Sequence, residues 1–216
     1  PQALDALAEV DAEIGRLVEG LESRGLLEST NILITSDHGF STQTGETSLT
    51  DLLVLEGFKR SADSRDVVVA GSAIHVLEGG EERIRAIVRL LQETDWIGPV
   101  FTTARFGNGE RGSLPGTAPF SAVFWDHARA ADILTSYNWS DAPNEFGHAG
   151  SVTTVGNAGH GTTSPYDIRA TLVAAGPSFK RGIRSEVPTG VVDIVPTALA
   201  LIGAPPSQHA HGRVLE

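Results

Sequence analysis

The chain has 216 residues with an ordinary apolar fraction of 40%, which is enough for one substantial domain or two small ones. Its formal charge of -11 argues against a nucleic-acid polymer or an anionic membrane as the main partner, although an acidic protein can bind phosphate esters when metal ions supply positive charge. The absence of cysteine excludes disulfides, a thiol nucleophile and a cysteine zinc site within this chain.

Two further features bear on the extent of the chain. No apolar run is long enough to span a bilayer, and no signal peptide is visible. The sequence begins at Pro1 and contains no methionine, so a natural translation start is missing. We therefore expect this chain to be an interior piece of a longer polypeptide.

The first half of the chain has the helix–strand order of an α/β protein. Apolar residues at helical spacing, beginning with Leu4 and Leu7, predict an amphipathic helix over Ala3–Arg24. The apolar run Ile32–Thr35 predicts a strand buried on both faces, as in a parallel sheet covered by helices. The next predicted elements are a short helix over Ser48–Leu55 with Ser48 as N-cap, strands over Asp66–Ala70 and Ala73–Leu77, and a helix over Glu81–Glu93.

The second half of the chain alternates predicted strands with glycine-rich loops. Strands are predicted over Val100–Thr103, Ser121–Trp125, Ile133–Tyr137 and Ile168–Ala175, and loops over Arg105–Pro119 and Asn138–Pro165. The second loop is long for a compact domain, which is typical of functional or disordered segments. A closing helix is predicted over Val191–Ile202, with Asp193 as N-cap and Pro196 in the first turn.

Two short motifs with metal-ligating residues lie beside predicted strands. Asp37-His38-Gly39 follows the first strand, and His160 lies between two glycines in the loop before the last strand. A carboxylate and two imidazoles are ligands that suit zinc, iron or manganese, and ligands bind at the strand outlets of open α/β sheets. Either motif alone is as a rule only a turn. Together they are as consistent with a catalytic metal site as with two turns.

Four segments follow one another in an order typical of a known family. They are Asn31–Phe40, Gly159–Gly161, Leu172–Gly182, and Asp193–Gly203 with Gly212–Leu215. In this order they resemble the C-terminal half of the alkaline phosphatase superfamily, and most closely its type I phosphodiesterase/nucleotide pyrophosphatase branch. The resemblance implies a three-layer α/β/α sandwich with a mostly parallel central sheet, present as a partial domain. Residues 1–216 would be the C-terminal part of one catalytic domain, and the N-terminal part would lie upstream.

The resemblance also implies a centre with two divalent metal ions, zinc with manganese as the alternative. Carried over by position, Asp37 and His38 would hold one ion and His160 the other. The family's Thr or Ser nucleophile and its remaining ligands have no counterpart in this chain, since the nearby hydroxyl residues Thr35, Ser36 and Ser41 do not match the nucleophile's position. A catalytic zinc needs about three protein ligands. We therefore expect the chain alone to be inactive.

The activity that the resemblance implies is metal-dependent hydrolysis of phosphodiester or pyrophosphate bonds in a small-molecule phosphate ester. The alternatives are a phosphonate hydrolase, sulfatase or phosphomutase of the same superfamily, or a non-catalytic relative that keeps the fold as a binding module. His148, beside Asn144 in the long loop, is a candidate residue of the substrate pocket. The location stays open, and the resemblance is compatible with the periplasm or the cell exterior.

Overall fold

The computed structural model describes residues 2–103 and 114–215, which divide into two compact units. The terminal unit consists of the residues up to Asp37 together with those from Ala170 onward. The central unit is His38–Arg169. In these described ranges, no helix combines the length and apolar character that crossing a membrane requires.

Short helices and strands alternate along the described residues. In chain order they are α1 (Gln2–Glu22), β1 (Ile32–Thr35), β2 (Ser41–Gly45), α2 (Leu49–Leu55), β3 (Val67–Ala70), β4 (Ala73–Val76), α3 (Gly80–Glu93), β5 (Ile97–Thr102), β6 (Ala118–Pro119), β7 (Ile133–Tyr137), β8 (Trp139–Pro143), β9 (Ala149–Val155), β10 (Ala158–Gly159), α4 (Pro165–Ile168), β11 (Leu172–Ala175) and α5 (Ile194–Leu201).

In the terminal unit, β1 and β11 form a two-stranded antiparallel sheet that runs from the pair Ile32–Ala175 to the pair Thr35–Leu172. The predicted long helix is confirmed as α1, but none of its residues is buried, and Leu7 is 64% exposed. The predicted first strand is confirmed as β1, although its residues are half-buried or exposed instead of enclosed on both faces.

The central unit contains the hydrophobic core. Helix α3 buries four residues at helical spacing, Ile84, Ile87, Val88 and Leu91, which are the apolar positions that predicted the helix. Helix α2 begins as predicted, because the Ser48 hydroxyl accepts a hydrogen bond of 3.1 Å from the Asp51 N–H. The core therefore follows from local patterning in the sequence.

Two sheets of the central unit differ from the mostly parallel sheet that was predicted. Their strand orders are β3-β4-β7-β5-β6 and β10-β2-β9-β8. Among the described strands of the molecule, only the pairs β2–β9 and β5–β6 are parallel. Short connections explain the difference, since two residues join β3 to β4 and five join β8 to β9. Parallel neighbours need a crossover of about a dozen residues or more.

Two sequence predictions in the central unit are wrong. The strand predicted over Ser121–Trp125 is a 3-10 turn over Phe120–Val123, which ends at Phe124 with a left-handed φ of 54°. Much of the loop predicted over Asn138–Pro165 is strand, because β8, β9 and β10 lie within it.

The physical reason for the second error is the β-branched run Val152–Val155, whose residues favour a pleated, half-buried surface. Abundant glycine in this region concealed that signal. Of the loop predicted over Arg105–Pro119, residues 105–113 lie outside the described residues.

Asp193 has a different role from the N-cap that was predicted. Its side chain makes no capping bond to α5, and its two carboxylate oxygens accept hydrogen bonds from the backbone N–H groups of Arg213, at 2.8 Å, and Gly190, at 2.9 Å. These two N–H groups, together with the Arg213 guanidinium, hold the pKa of Asp193 below its usual range against the opposing effect of burial. Pro196 does lie in the first turn of α5, as predicted.

We expect the substitution Asp193→Asn to destabilise the protein at neutral pH and to have less effect in acid. A carboxylate with a lowered folded-state pKa contributes stability above its unfolded pKa of about 3.9, and that contribution is lost as the pH falls through the folded-state value. The difference in melting temperature between wild type and variant should thus be full at pH 7 and shrink below about pH 4. A difference that stays constant between these conditions would contradict the assignment.

Candidate functional site

Strand register brings the two histidine motifs together in the central unit. Strand β2 follows the first motif and β10 precedes His160, and the two strands pair antiparallel with Thr42 opposite Ala158 and Ser41 opposite Gly159. Continued by one residue, this register places Phe40 opposite His160. His38 lies two residues before Phe40, so an extended backbone directs both side chains to the same face.

The three rings form one cluster. The imidazole centroids of His38 and His160 are 3.7 Å apart, with 21° between the ring planes. The Phe40 ring lies 5.2 Å from His160 and 5.3 Å from His38. His38 is half-buried, whereas His160 and Phe40 are exposed. The imidazole pair is therefore accessible to solvent and bordered by an apolar ring.

The backbone determines the tautomer of His38. Its Nδ1 lies 2.8 Å from the carbonyl oxygen of Gly39. A carbonyl oxygen only accepts hydrogen bonds, so Nδ1 must carry the proton when this bond forms. In that tautomer Nε2 presents its lone pair, which is the arrangement that a metal-ligating histidine requires.

Asp37 lies in a bend two residues beyond the end of β1, and its side chain is exposed. The chain has therefore left strand geometry where Asp37 and His38 follow one another. Asp37 belongs to the terminal unit, whereas His38 and His160 belong to the central unit. Over the two described ranges, no group of three or more His, Asp or Glu side chains is positioned to hold a metal ion. The role of Asp37 as a ligand stays a prediction.

A buried carboxylate that sequence reasoning missed lies next to the histidine pair. Asp167 is 2% exposed. Its Oδ1 accepts a hydrogen bond of 2.5 Å from the Ser41 hydroxyl. Its Oδ2 accepts bonds from Thr162, at 3.0 Å from the N–H and 2.7 Å from the hydroxyl. A usable sequence signal existed, because Ser164-Pro165 followed by Asp167 is typical of a helix N-terminus.

Gly39 is required by the close approach of two backbone segments. Its N–H donates a 2.8 Å hydrogen bond to the carbonyl oxygen of Asp167. A Cβ at this position would lie 2.0 Å from the carbonyl oxygen of Tyr166 and 2.8 Å from that of Arg169. The glycine of the first motif therefore lets the His38 segment pack against α4.

The segment after His160 is also attached to the five-stranded sheet. The hydroxyl of Ser136, on β7, accepts a 2.8 Å hydrogen bond from the N–H of Thr163 and lies 3.0 Å from the Thr163 hydroxyl. Ser136 is 3% exposed. Strand β7 thus links the hydrophobic core to the loop that carries His160.

His148 lies in the exposed turn between β8 and β9. The side chain of Asn144 organises this turn, since its Oδ1 accepts hydrogen bonds of 3.0 Å from the N–H groups of Phe146 and His148. Its Nδ2 donates to the hydroxyl of Thr42 on β2, at 3.0 Å. The turn is therefore held to the strand that follows the first motif. A substrate-binding role for His148 stays a prediction.

The hydroxyl groups near the first motif have structural partners. Ser41 is 2% exposed and donates to Asp167, so its hydroxyl is withdrawn from solvent. Ser36 accepts a 3.1 Å hydrogen bond from the N–H of Thr171 within the terminal unit. That neither residue is the nucleophile stays a prediction.

Comparison with known proteins identifies the fold and the family of the first part of the chain. Residues 1–98 match the family model described as type I phosphodiesterase / nucleotide pyrophosphatase. A crystal structure of a mutant of alkaline phosphatase PafA has the same fold, with a TM-score of 0.69 at 14% sequence identity over 95% of this chain. No curated protein sequence matches the chain.

The structural match confirms the predicted alkaline-phosphatase-like α/β fold. The family match over residues 1–98 agrees with the resemblance drawn from the four segments. The chain spans 41% of the length of the alkaline phosphatase chain that it matches. The activity of a complete enzyme with this fold is therefore only proposed for this chain.

We expect the substitution Gly39→Ala to lower the free energy of unfolding by about 1–3 kcal/mol, as overpacking does in a tightly packed region. The added methyl group would meet backbone carbonyls, which cannot move as a flexible side chain can. Urea unfolding of the purified variant measures the effect. Gly15→Ala is the matched control, because nothing lies within 4 Å of its Cβ and the change raises helix propensity in α1. Equal effects of the two substitutions would contradict the close approach at Gly39.

Proposed function

We propose that this chain is part of a metal-dependent hydrolase of phosphodiester or pyrophosphate bonds. The observation that carries the proposal is the stacked pair of His38 and His160, with ring centroids 3.7 Å apart, in a superfamily chain that has Asp37 next to His38. The match of residues 1–98 to the phosphodiesterase family favours phosphodiesters and pyrophosphates over other esters.

The residues present fit a centre with two divalent ions. Imidazole nitrogens and a carboxylate suit zinc, with manganese as the alternative. Asp37 and His38 would hold one ion and His160 the other. When bound, such ions polarise a phosphoryl oxygen and activate a hydroxyl nucleophile.

The neighbouring residues orient the two imidazole rings and surround them. The Gly39 carbonyl holds the proton of His38 on Nδ1, so the His38 ring would bind an ion through Nε2. The Phe40 ring borders the imidazole pair on one side and leaves it open to solvent elsewhere. We further propose that His148, at the tip of the turn held by Asn144, contacts the substrate. The Thr or Ser nucleophile and the other ligands belong to residues outside this chain.

Kinetic measurements on the complete protein with zinc test the proposal. We expect bis(p-nitrophenyl) phosphate to be hydrolysed faster than p-nitrophenyl phosphate or p-nitrophenyl sulfate. His38→Ala and His160→Ala should each lower kcat/KM by at least about a thousandfold, because the loss of a ligand disturbs the ion and the nucleophile together. The control is His127→Ala, since His127 is exposed and lies apart from the ring cluster.

Several results would contradict the proposal. Near-normal activity of either histidine variant would exclude the metal-ligand role. A clear preference for the monoester or the sulfate would favour a sibling activity of the superfamily. A wild-type protein that neither binds zinc nor hydrolyses any of these substrates would favour a binding module.

The 216-residue chain by itself should hydrolyse none of these substrates at a measurable rate. Asp37, His38 and His160 supply three ligands for two ions, whereas a catalytic zinc uses about three protein ligands of its own. Assay of the purified chain with added zinc measures this directly. Robust zinc-dependent turnover would show that the nucleophile lies within the chain.

A further inference from the structure

We propose that Asp167 is a positioning residue, which sets the distance between His38 and His160. Its carboxylate lies between the segments that follow the two histidines and binds both of them. The consequence for catalysis rests on the proposed function, whereas the positioning itself rests on the geometry of the central unit alone.

Each carboxylate oxygen serves one histidine segment. Oδ1 accepts from the hydroxyl of Ser41, three residues after His38, and the carbonyl oxygen of Asp167 accepts from the N–H of Gly39. Oδ2 accepts from the N–H and the hydroxyl of Thr162, two residues after His160. One residue therefore ties the two segments together at four points.

The surroundings of Asp167 exclude a direct role as a ligand or base. The side chain is 2% exposed, and both oxygens already accept hydrogen bonds. Ser164, which is fully buried, lies 3.3 Å from the Ser41 hydroxyl and closes the cluster on the side of α4. Asp167 therefore acts on the histidines only through the segments that it holds.

Replacing the Asp167 carboxylate by a neutral side chain would disturb the hydrogen bonds that it accepts. A carboxylate accepts from several donors at once, whereas an asparagine amide presents one accepting oxygen and a donating NH₂ group. In Asp167→Asn the NH₂ group would face either Thr162 or Ser41. Facing Thr162, it would oppose the donating N–H and that bond would be lost. Facing Ser41, it would donate to the hydroxyl oxygen and replace the 2.5 Å bond by a longer and weaker one. One histidine segment would be held less firmly, although the side chain keeps its size.

Asp193 provides a matched control for this substitution. It is another buried aspartate, it is 6% exposed, and it also accepts hydrogen bonds from the backbone of two chain segments, through the N–H groups of Gly190 and Arg213. It belongs to the terminal unit and makes no contact with the histidine segments through these bonds. Asp193→Asn therefore reproduces the general cost of removing such a carboxylate without touching the histidine pair.

The first measurement needs no metal and no activity. In the complete, metal-free protein with isotope-labelled histidines, rings with centroids 3.7 Å apart give a strong nuclear Overhauser effect between His38 and His160. We expect this signal to be clearly weakened in Asp167→Asn and kept in Asp193→Asn, although both variants melt at a lower temperature. A full signal in Asp167→Asn would overturn the proposal. If that variant fails to fold, Ser41→Ala replaces it in the test. Of the four hydrogen bonds that Asp167 accepts, this substitution removes only the one to Oδ1, so it should weaken the signal.

The second measurement links positioning to the proposed function. Groups that orient metal ligands change metal affinity by about 10–100-fold when mutated, so Asp167→Asn should weaken zinc binding by this factor in a chelator competition and lower kcat more than it raises KM. Asp193→Asn should leave zinc affinity within about twofold. Unchanged zinc affinity and kcat in Asp167→Asn would overturn the positioning role. A wild type that binds no zinc, with the ring signal still dependent on Asp167, would refute the proposed function and leave the positioning role intact.

Discussion

The candidate site depends on one buried carboxylate that is shared between two chain segments far apart in sequence. Asp167 accepts the hydroxyl of Ser41 on one oxygen and the donors of Thr162 on the other. Removing a charged acceptor from a buried cluster leaves its donors unsatisfied, which is costlier than losing the bond alone. The stacking of His38 on His160 is the consequence, since each ring lies within three residues of a segment that this carboxylate fixes.

The hydrophobic core supports this arrangement from the other side. Ile133, at the start of β7, is fully buried in the core of the central unit, and Ser136 on the same strand binds Thr163 next to the Asp167 cluster. Strand β7 thus connects the hydrophobic core to the loop that carries His160 and holds this loop in place. Sites built in this way on sheet edges hold their side chains more precisely than free loops do.

A wider pattern recurs in the described loops of this chain, whose sequence contains 24 glycines and 11 prolines. Single Asn and Asp side chains accept backbone N–H groups at several turns: Asn31 binds Ser178, Asn144 binds Phe146 and His148, and Asp193 binds Gly190 and Arg213. Each of these residues supplies acceptors that a glycine-rich segment lacks within itself. The acidic composition is therefore partly structural, and two of the acidic residues with this role, Asp167 and Asp193, are buried.

The sequence by itself determined the elements that depend on local patterning. Apolar residues at helical spacing specified α3 and its buried face, and Ser48 specified the start of α2, because these signals act between residues three or four positions apart. The order of four motifs was enough to predict the alkaline-phosphatase-like α/β fold. Local patterning failed where glycine concealed β-branched residues, as in β9, and where strand direction depended on pairing partners.

Only the tertiary structure decided how the site is assembled. The register of β2 and β10 places Phe40 and His38 beside His160, and no local signal specifies a register between strands more than a hundred residues apart. Asp167 was overlooked for the same reason, since its partners Ser41 and Thr162 become its neighbours only after folding. The sequence named the candidate site residues. Long-range hydrogen bonds fixed the distance between His38 and His160, because such bonds join groups whose separation along the chain says nothing about their separation in space.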